Sequence, residues 1–226
     1  MFDIHQSVYD KHEELDSRLV EKYITGLITE FVNSPEAKEL GEEWSAWPEM
    51  FLHHALDYLG TPPAEMSLSD FREVVYELFP RKVSTEPASA GEIITELRAF
   101  WKFLHRQYGL ENAPRILADL GDEAIADLRE ELANPANYGM AKSFFMMGSE
   151  AGFDMRTQEG LDEFTAAYNA GLAGGLPDDL PDNLPEVPPL FPPSLGWGPP
   201  PVPREQREAK RKQRKRERKA RKRNRR

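Results

Sequence analysis

The densest chemistry in this 226-residue sequence is cationic and lies at one end of it. Residues 204–226 hold 15 of the 29 Lys and Arg residues and 3 of the 39 Asp and Glu residues, a local charge of +12. The rest keeps 14 basic and 36 acidic side chains, or −22, so the overall −10 averages two opposite objects. Arg207, Lys210, Arg211, Lys212, Arg214, Lys215, Arg216, Arg218, Lys219, Arg221, Lys222, Arg223, Arg225 and Arg226 are the residue types that engage phosphate, and Arg, which predominates, does so bidentately. Such a run repels itself until anions neutralise it, which calls for a polyanionic partner. Ala209 and Ala220 are its only apolar side chains after 207 and it has no aromatic residue. That composition excludes an amphipathic membrane helix and a stacking platform for single-stranded bases. Glu208/Lys212 and Glu217/Arg221 are i,i+4 pairs in the favourable order, so the tail is expected to be disordered and to gain helix when phosphates quench its repulsion.

The remainder offers only fragments of catalytic patterns. His12-Glu13-Glu14-Leu15-Asp16 has the first half of the helical zinc-protease motif, with Asp where the second histidine must stand. Glu49, His53 and Asp57 share a helical face, on which a metal site competes with an ion-pair ladder, and the latter reading is preferred. Gly148-Ser149 lacks the nucleophile-elbow spacing, and Gly196-Trp197-Gly198 runs into three prolines, which cannot donate to phosphate. With no cysteine, disulfides, thiolate zinc sites, iron–sulfur clusters and thiol nucleophiles are ruled out. No catalytic residue, metal or cofactor is expected, although carboxylates assembled in space leave no local mark. Arg81, Lys82, Arg98, Lys102 and Arg106 define a candidate secondary basic ridge, set against internal pairing with the abundant carboxylates.

Helices must position these groups. Val20, Ile24, Leu27 and Phe31 mark one over about residues 7–32. Ser34-Pro35-Glu36 and Trp47-Pro48-Glu49 open two more, the latter stopping at Gly60, and Ser69-Asp70 opens a short helix that Pro80 ends. Ser89-Ala90-Gly91-Glu92 matches a capping box ahead of the strongest helix. There Ile93, Ile94, Leu97, Phe100, Trp101, Leu104 and Tyr108 fall within about 120° of the helical wheel. Further helices are expected at 112–120, 122–133, 139–150 and 157–170. The segment 140–147, apolar nearly all round, reads as core, as do Trp44, Trp47 and Trp101. No stretch alternates like a strand. The fold expected is all-α, an irregular multi-helix bundle over 1–172 with eight or nine helices.

Residues 173–203 carry 11 of the 19 prolines, including Leu176-Pro177, Leu180-Pro181 and Leu184-Pro185. This linker reads as a disordered polyproline II spacer of at most ~95 Å, as a strand draped over the body to bury Phe191 and Trp197, or as a proline-directed ligand. The residues Asp57-Tyr58-Leu59, Glu77-Leu78-Phe79-Pro80-Arg81-Lys82-Val83 and 96–103 (Glu-Leu-Arg-Ala-Phe-Trp-Lys-Phe) resemble an uncharacterised bacterial helical domain associated with SEC-C-type zinc-binding tails. The resemblance covers about 50–110 and implies a helical domain and no activity. Lacking cysteine, the chain cannot carry such a zinc tail, and the basic tail stands in its place.

The function expected is non-enzymatic: electrostatic binding of nucleic acid, RNA or duplex DNA, through residues 204–226 without sequence readout. The alternative is a protein–protein adaptor built on the helical body, with the tail localising it or engaging the body's own acidic surface. No basic-then-apolar leader opens the sequence and no run approaches the ~18 apolar residues of a membrane span, so no membrane insertion and a cytoplasmic location (nuclear, if the source cell has a nucleus) are expected.

Overall fold

The computed structural model describes residues 2–41 and 45–172. The linker 173–203, the tail 204–226 and Trp44 lie outside them. All regular structure among the described residues is helical; the single strand-like feature is an isolated antiparallel bridge between Tyr9 and Leu15. No helix among them is long and apolar enough to cross a membrane.

The helices are α1 (Ser17–Val32), α2 (Pro35–Lys38), α3 (Trp47–His54), α4 (Leu68–Arg72), α5 (Phe79–Lys82), α6 (Ala90–Tyr108), α7 (Ala113–Asp119), α8 (Ala124–Ala133), α9 (Met140–Glu150) and α10 (Gln158–Leu172). Helix α3 runs on through a π turn, Ala55–Leu59, and stops at Gly60, whose φ of 62° is the left-handed conformation that glycine adopts cheaply. Helices α4 and α5 are likewise joined by a π turn, Glu73–Leu78.

Three local expectations are corrected. The first helix begins at Ser17, not near residue 7: Asp10 accepts the backbone N–H groups of His12 and Glu14, Glu13 has φ 61°, and Asp16 caps α1 by accepting from Arg18 and Leu19. Short acidic side chains here hold the backbone in a turn that competes with helix. Ser89 makes no side-chain cap; a 3₁₀ turn, Pro87–Ser89, precedes α6, and the capping box belongs instead to Ser67 and Asp70 at the start of α4. Pro80 lies inside α5 rather than ending a helix. A proline removes one ladder bond and crowds the carbonyl four residues back, and the π turn before it, where Phe79 N–H bonds Val74 O, shifts the ladder by one residue.

The sequence reading takes 1–172 as one domain, whereas the fold groups into two compact units: Met1–Pro80 with Thr85–Ala133, and Arg81–Ser84 with the chain from Asn134. In the first, α6 is the hub, packed by α2, α3, α7 and α8. Its expected core face is buried except for Tyr108, which is half-buried, and Glu96 and Phe103 join it at 2% exposure. Trp101 stands edge-on to Phe51 and Phe71 at 6.2 and 5.9 Å, and Phe31 meets Phe100 and Phe103 at 5.2 and 5.6 Å. Each such side chain, fully buried, contributes about 1.5–3 kcal/mol of transfer free energy. Tyr23 O–H donates to Ile4 O at 3.0 Å and Phe2 N–H to Glu30 at 2.5 Å, tying the N-terminal arm to α1.

In the second unit α9 and α10 form a hairpin across the short connection 151–157. Phe144 packs on Phe164 and Tyr168 at 4.7 and 5.2 Å, and Phe153 on Phe164 at 5.4 Å. Two glycines permit the close approach: a Cβ on Gly148 would lie 2.2 Å from Met155 Sδ, and one on Gly160 would lie 2.3 Å from Asp154 O. The N–H of Gly139 donates to Arg81 O at 3.0 Å, which ties the Arg81 segment to this unit.

Candidate functional site

The fourteen tail cations named above, Arg207 through Arg226, fall outside the described residues, so the geometry bears on the secondary ridge and on groups not singled out from the sequence. Two of the ridge arginines are engaged within the first unit, Arg98 half-buried and Arg106 exposed. Arg98 donates through Nε to Leu120 O at 2.8 Å and through Nη2 to Gly121 O at 3.1 Å, capping the carbonyls that end α7. Arg106 grips both oxygens of Glu36, at 2.6 and 3.0 Å, and that hydrogen bond holds the Glu36 carboxyl below its ordinary range while raising the guanidinium. Arg72, nearby in sequence, pairs with Asp119 at 2.8 Å. Lys102 is exposed, and Arg81 and Lys82 belong to the second unit. Pairing with a carboxylate therefore accounts for Arg106, while Arg98 is held by backbone carbonyls.

The metal-like patterns resolve into ordinary structure. His12-Glu13-Glu14 lies in the turn before α1 and not on a helix. His53 Nδ1 sits 3.7 Å from Asp57 Oδ2, an exposed pair, and no group of three or more His, Asp or Glu among the described residues is placed to hold a metal ion. Trp47 and Trp101 are core, as expected.

Three clusters stand out in the structure, of which only the third had been singled out from the sequence. Glu96, 2% exposed, accepts the N–H groups of Ser45 and Trp47 at 2.5 and 2.8 Å, thereby capping the start of α3, where Ala46 takes a left-handed φ of 57°. Burial pushes its carboxyl up, opposed by those two donors, while Glu92, which accepts the Ser45 hydroxyl, adds like charge. This is a structural anion site already filled by a side chain. Glu30, on α1, gathers Phe2 N–H and the Tyr108 hydroxyl, the latter at 2.7 Å, and its carboxyl is lowered chiefly by the Tyr108 bond. An open groove of about 890 Å³ lies between the N-terminal arm and α1, lined by Phe2, Asp3, Arg18, Glu21, Lys22 and Gly26 among others; its charges are of mixed sign and do not converge.

The third cluster is α9, and it reverses an expectation. Phe144, Phe145, Met146 and Met147 were expected in the core, yet all four are only half-buried, and Met140 is 72% exposed. The buried members of the helix are Gly148 and Lys142, the latter 2% exposed with its ammonium 4.2 Å from the centre of the Tyr138 ring. Burial lowers the Lys142 amine to about 8. The reason for the reversal is partnership: α10 covers the side of α9 that bears Phe144, Met155 in the connection covers Gly148, and a helix apolar all round needs partners on several sides to bury itself. A lone charged residue in an octet whose one other polar side chain is Ser143 was the available sequence signal.

No protein-family model, curated protein or solved structure matches this chain.

Proposed function

We propose that the chain is a non-enzymatic nucleic-acid-binding protein whose polycationic residues 204–226 engage phosphates without reading sequence. One observation carries the reading: the segregation of +12 on those residues from −22 on all the others. A segment of Lys and Arg without aromatic residues has chemistry for backbone phosphates and none for base edges or stacking, which favours duplex DNA or structured RNA. With Arg98 engaged by the Leu120 and Gly121 carbonyls and Arg106 by Glu36, the secondary ridge has less to add, so affinity should rest mainly on the tail. The test is the salt dependence of full-chain binding to a duplex of arbitrary sequence. If six to ten cations meet phosphates, the slope of log affinity against log salt should be about −5 to −9. Replacing Arg214, Lys215, Arg216, Arg218 and Lys219 with Gln should weaken binding, flatten that slope and leave the circular dichroism unchanged. A slope near zero would refute the reading.

The half-buried Phe/Met surface of α9 favours a second reading, an adaptor that docks a polypeptide on its helical part, because flexible methionines repack around varied partners.

A further inference from the structure

We propose that the α9 surface is a docking site for the chain's own linker, through the Leu-Pro repeats at 176–184, which fixes where the basic tail departs from the second unit. The inference does not depend on the nucleic-acid reading.

Where the chain leaves the described helices is the first support. Phe144, in the second turn of α9, contacts Phe164, near the middle of α10, and Tyr168, one turn further on, whereas Phe153, in the short connection after α9, contacts Phe164. The two helices are therefore antiparallel. The end of α10, at Leu172, is delivered beside the start of α9, where Met140 is 72% exposed and Ala141 is exposed. The next residues reach the surface without a long excursion. At 3.1 Å per residue an extended proline-rich strand needs about five residues to travel the ~16 Å length of α9, so 176–184 spans it with chain to spare.

Chemistry is the second support. Leu176, Leu180 and Leu184 alternate with prolines, which are pre-extended and lose little entropy on docking, and aromatic-lined apolar surfaces are what such strands bind. The α9 surface supplies Phe145, Met146, Met147 and the ring of Tyr138.

Backbone ¹⁵N relaxation and methyl NOEs on the full chain test the proposal. Docking predicts order parameters approaching the ~0.85 of rigid backbone at Leu176, Leu180, Asp182 and Leu184, against less than ~0.6 for a tether, with NOEs from the leucine methyls to the methyls of Met140, Met146 or Met147. In Phe145→Ser the linker values should fall below ~0.6 while α6 signals stay in place. Should that variant unfold, Met146→Gln, a milder change, takes its role, and the NOEs need no variant. Tether-like values in the full chain overturn the proposal. So do ordered values that persist in both variants, which would place the contact elsewhere, and order that vanishes on dilution, which would assign the surface to a second copy.

Discussion

The core around α6 and the α9–α10 hairpin contain similar apolar residues and bury them very differently. Phe31, Phe51, Phe71, Phe100 and Trp101 are wholly buried. Phe144, Phe145, Met146 and Met147 are not. Helix α6 has four helical neighbours and a polar sector to face water, so each aromatic side chain finds a partner. Helix α9 is paired by aromatic contacts with α10 and has apolar residues on every side. Burial is thus set by the number of partners a helix has, and hydrophobicity alone does not secure it.

Substitution should expose that contrast most sharply. Trp101→Ala is expected to cost about 3–5 kcal/mol, as a large-to-small change in a filled core, and Phe145→Ala less than about 1 kcal/mol. Denaturant titration of both variants checks this, and comparable losses would mean that α9 is as well packed as α6.

The hairpin's two glycines offer a finer test of what can yield. At Gly160 an added Cβ would strike the Asp154 backbone carbonyl, whereas at Gly148 it would strike the end of the Met155 side chain. Gly160→Ala should cost about 1–3 kcal/mol and Gly148→Ala clearly less, because a methionine can change rotamer and a backbone cannot. Thermal melts followed by near-ultraviolet circular dichroism would register the difference; equal costs would show the thioether to be as immobile as the backbone.

The smallest effect expected is in pH dependence, where the two regions should have opposite slopes. Glu96 has its folded carboxyl raised above the ordinary 4.5, chiefly by burial. The native state therefore holds that proton more tightly, and stability falls as pH rises through the folded value. Lys142 is lowered by burial from 10.5 to about 8, so the unfolded state holds its proton more tightly and stability rises with pH between those values. Glu96→Gln should abolish the first slope and Lys142→Met the second. Amide exchange, read separately near α6 and in α9, distinguishes them, and a slope surviving its own substitution would assign it to another group.

Local features were legible in the sequence where neighbours a few residues apart decide the outcome. Pro35 and Pro48 open helices, Gly60 and Gly109 close them in left-handed conformations, and the wheel of α6 identifies the centre of its core face, from Ile93 to Leu104, though not Glu96, Ala99 or Phe103 beside it. Legibility failed where two local signals compete. Ser89-x-x-Glu92 and Ser67-x-x-Asp70 both look like caps, and Glu92 is instead drawn to Ser45, 47 residues away. A helix across 7–16 looked plausible until Asp10 and Asp16 spent their carboxylates on nearby N–H groups.

By itself the sequence determined the helical class of the described residues, most of the places where helices start and stop, and the charge division between residues 204–226 and the rest, since propensity, capping and composition act over a turn or two of chain. Only the tertiary structure decided that Arg106 would be held by Glu36 at a separation of 70 residues, that Glu96 would cap α3 from α6, and that Lys142 would be buried while its phenylalanine neighbours were not. Those outcomes depend on which helix packs against which, and a side chain 50 or 70 residues distant leaves no periodicity in the stretch it will contact.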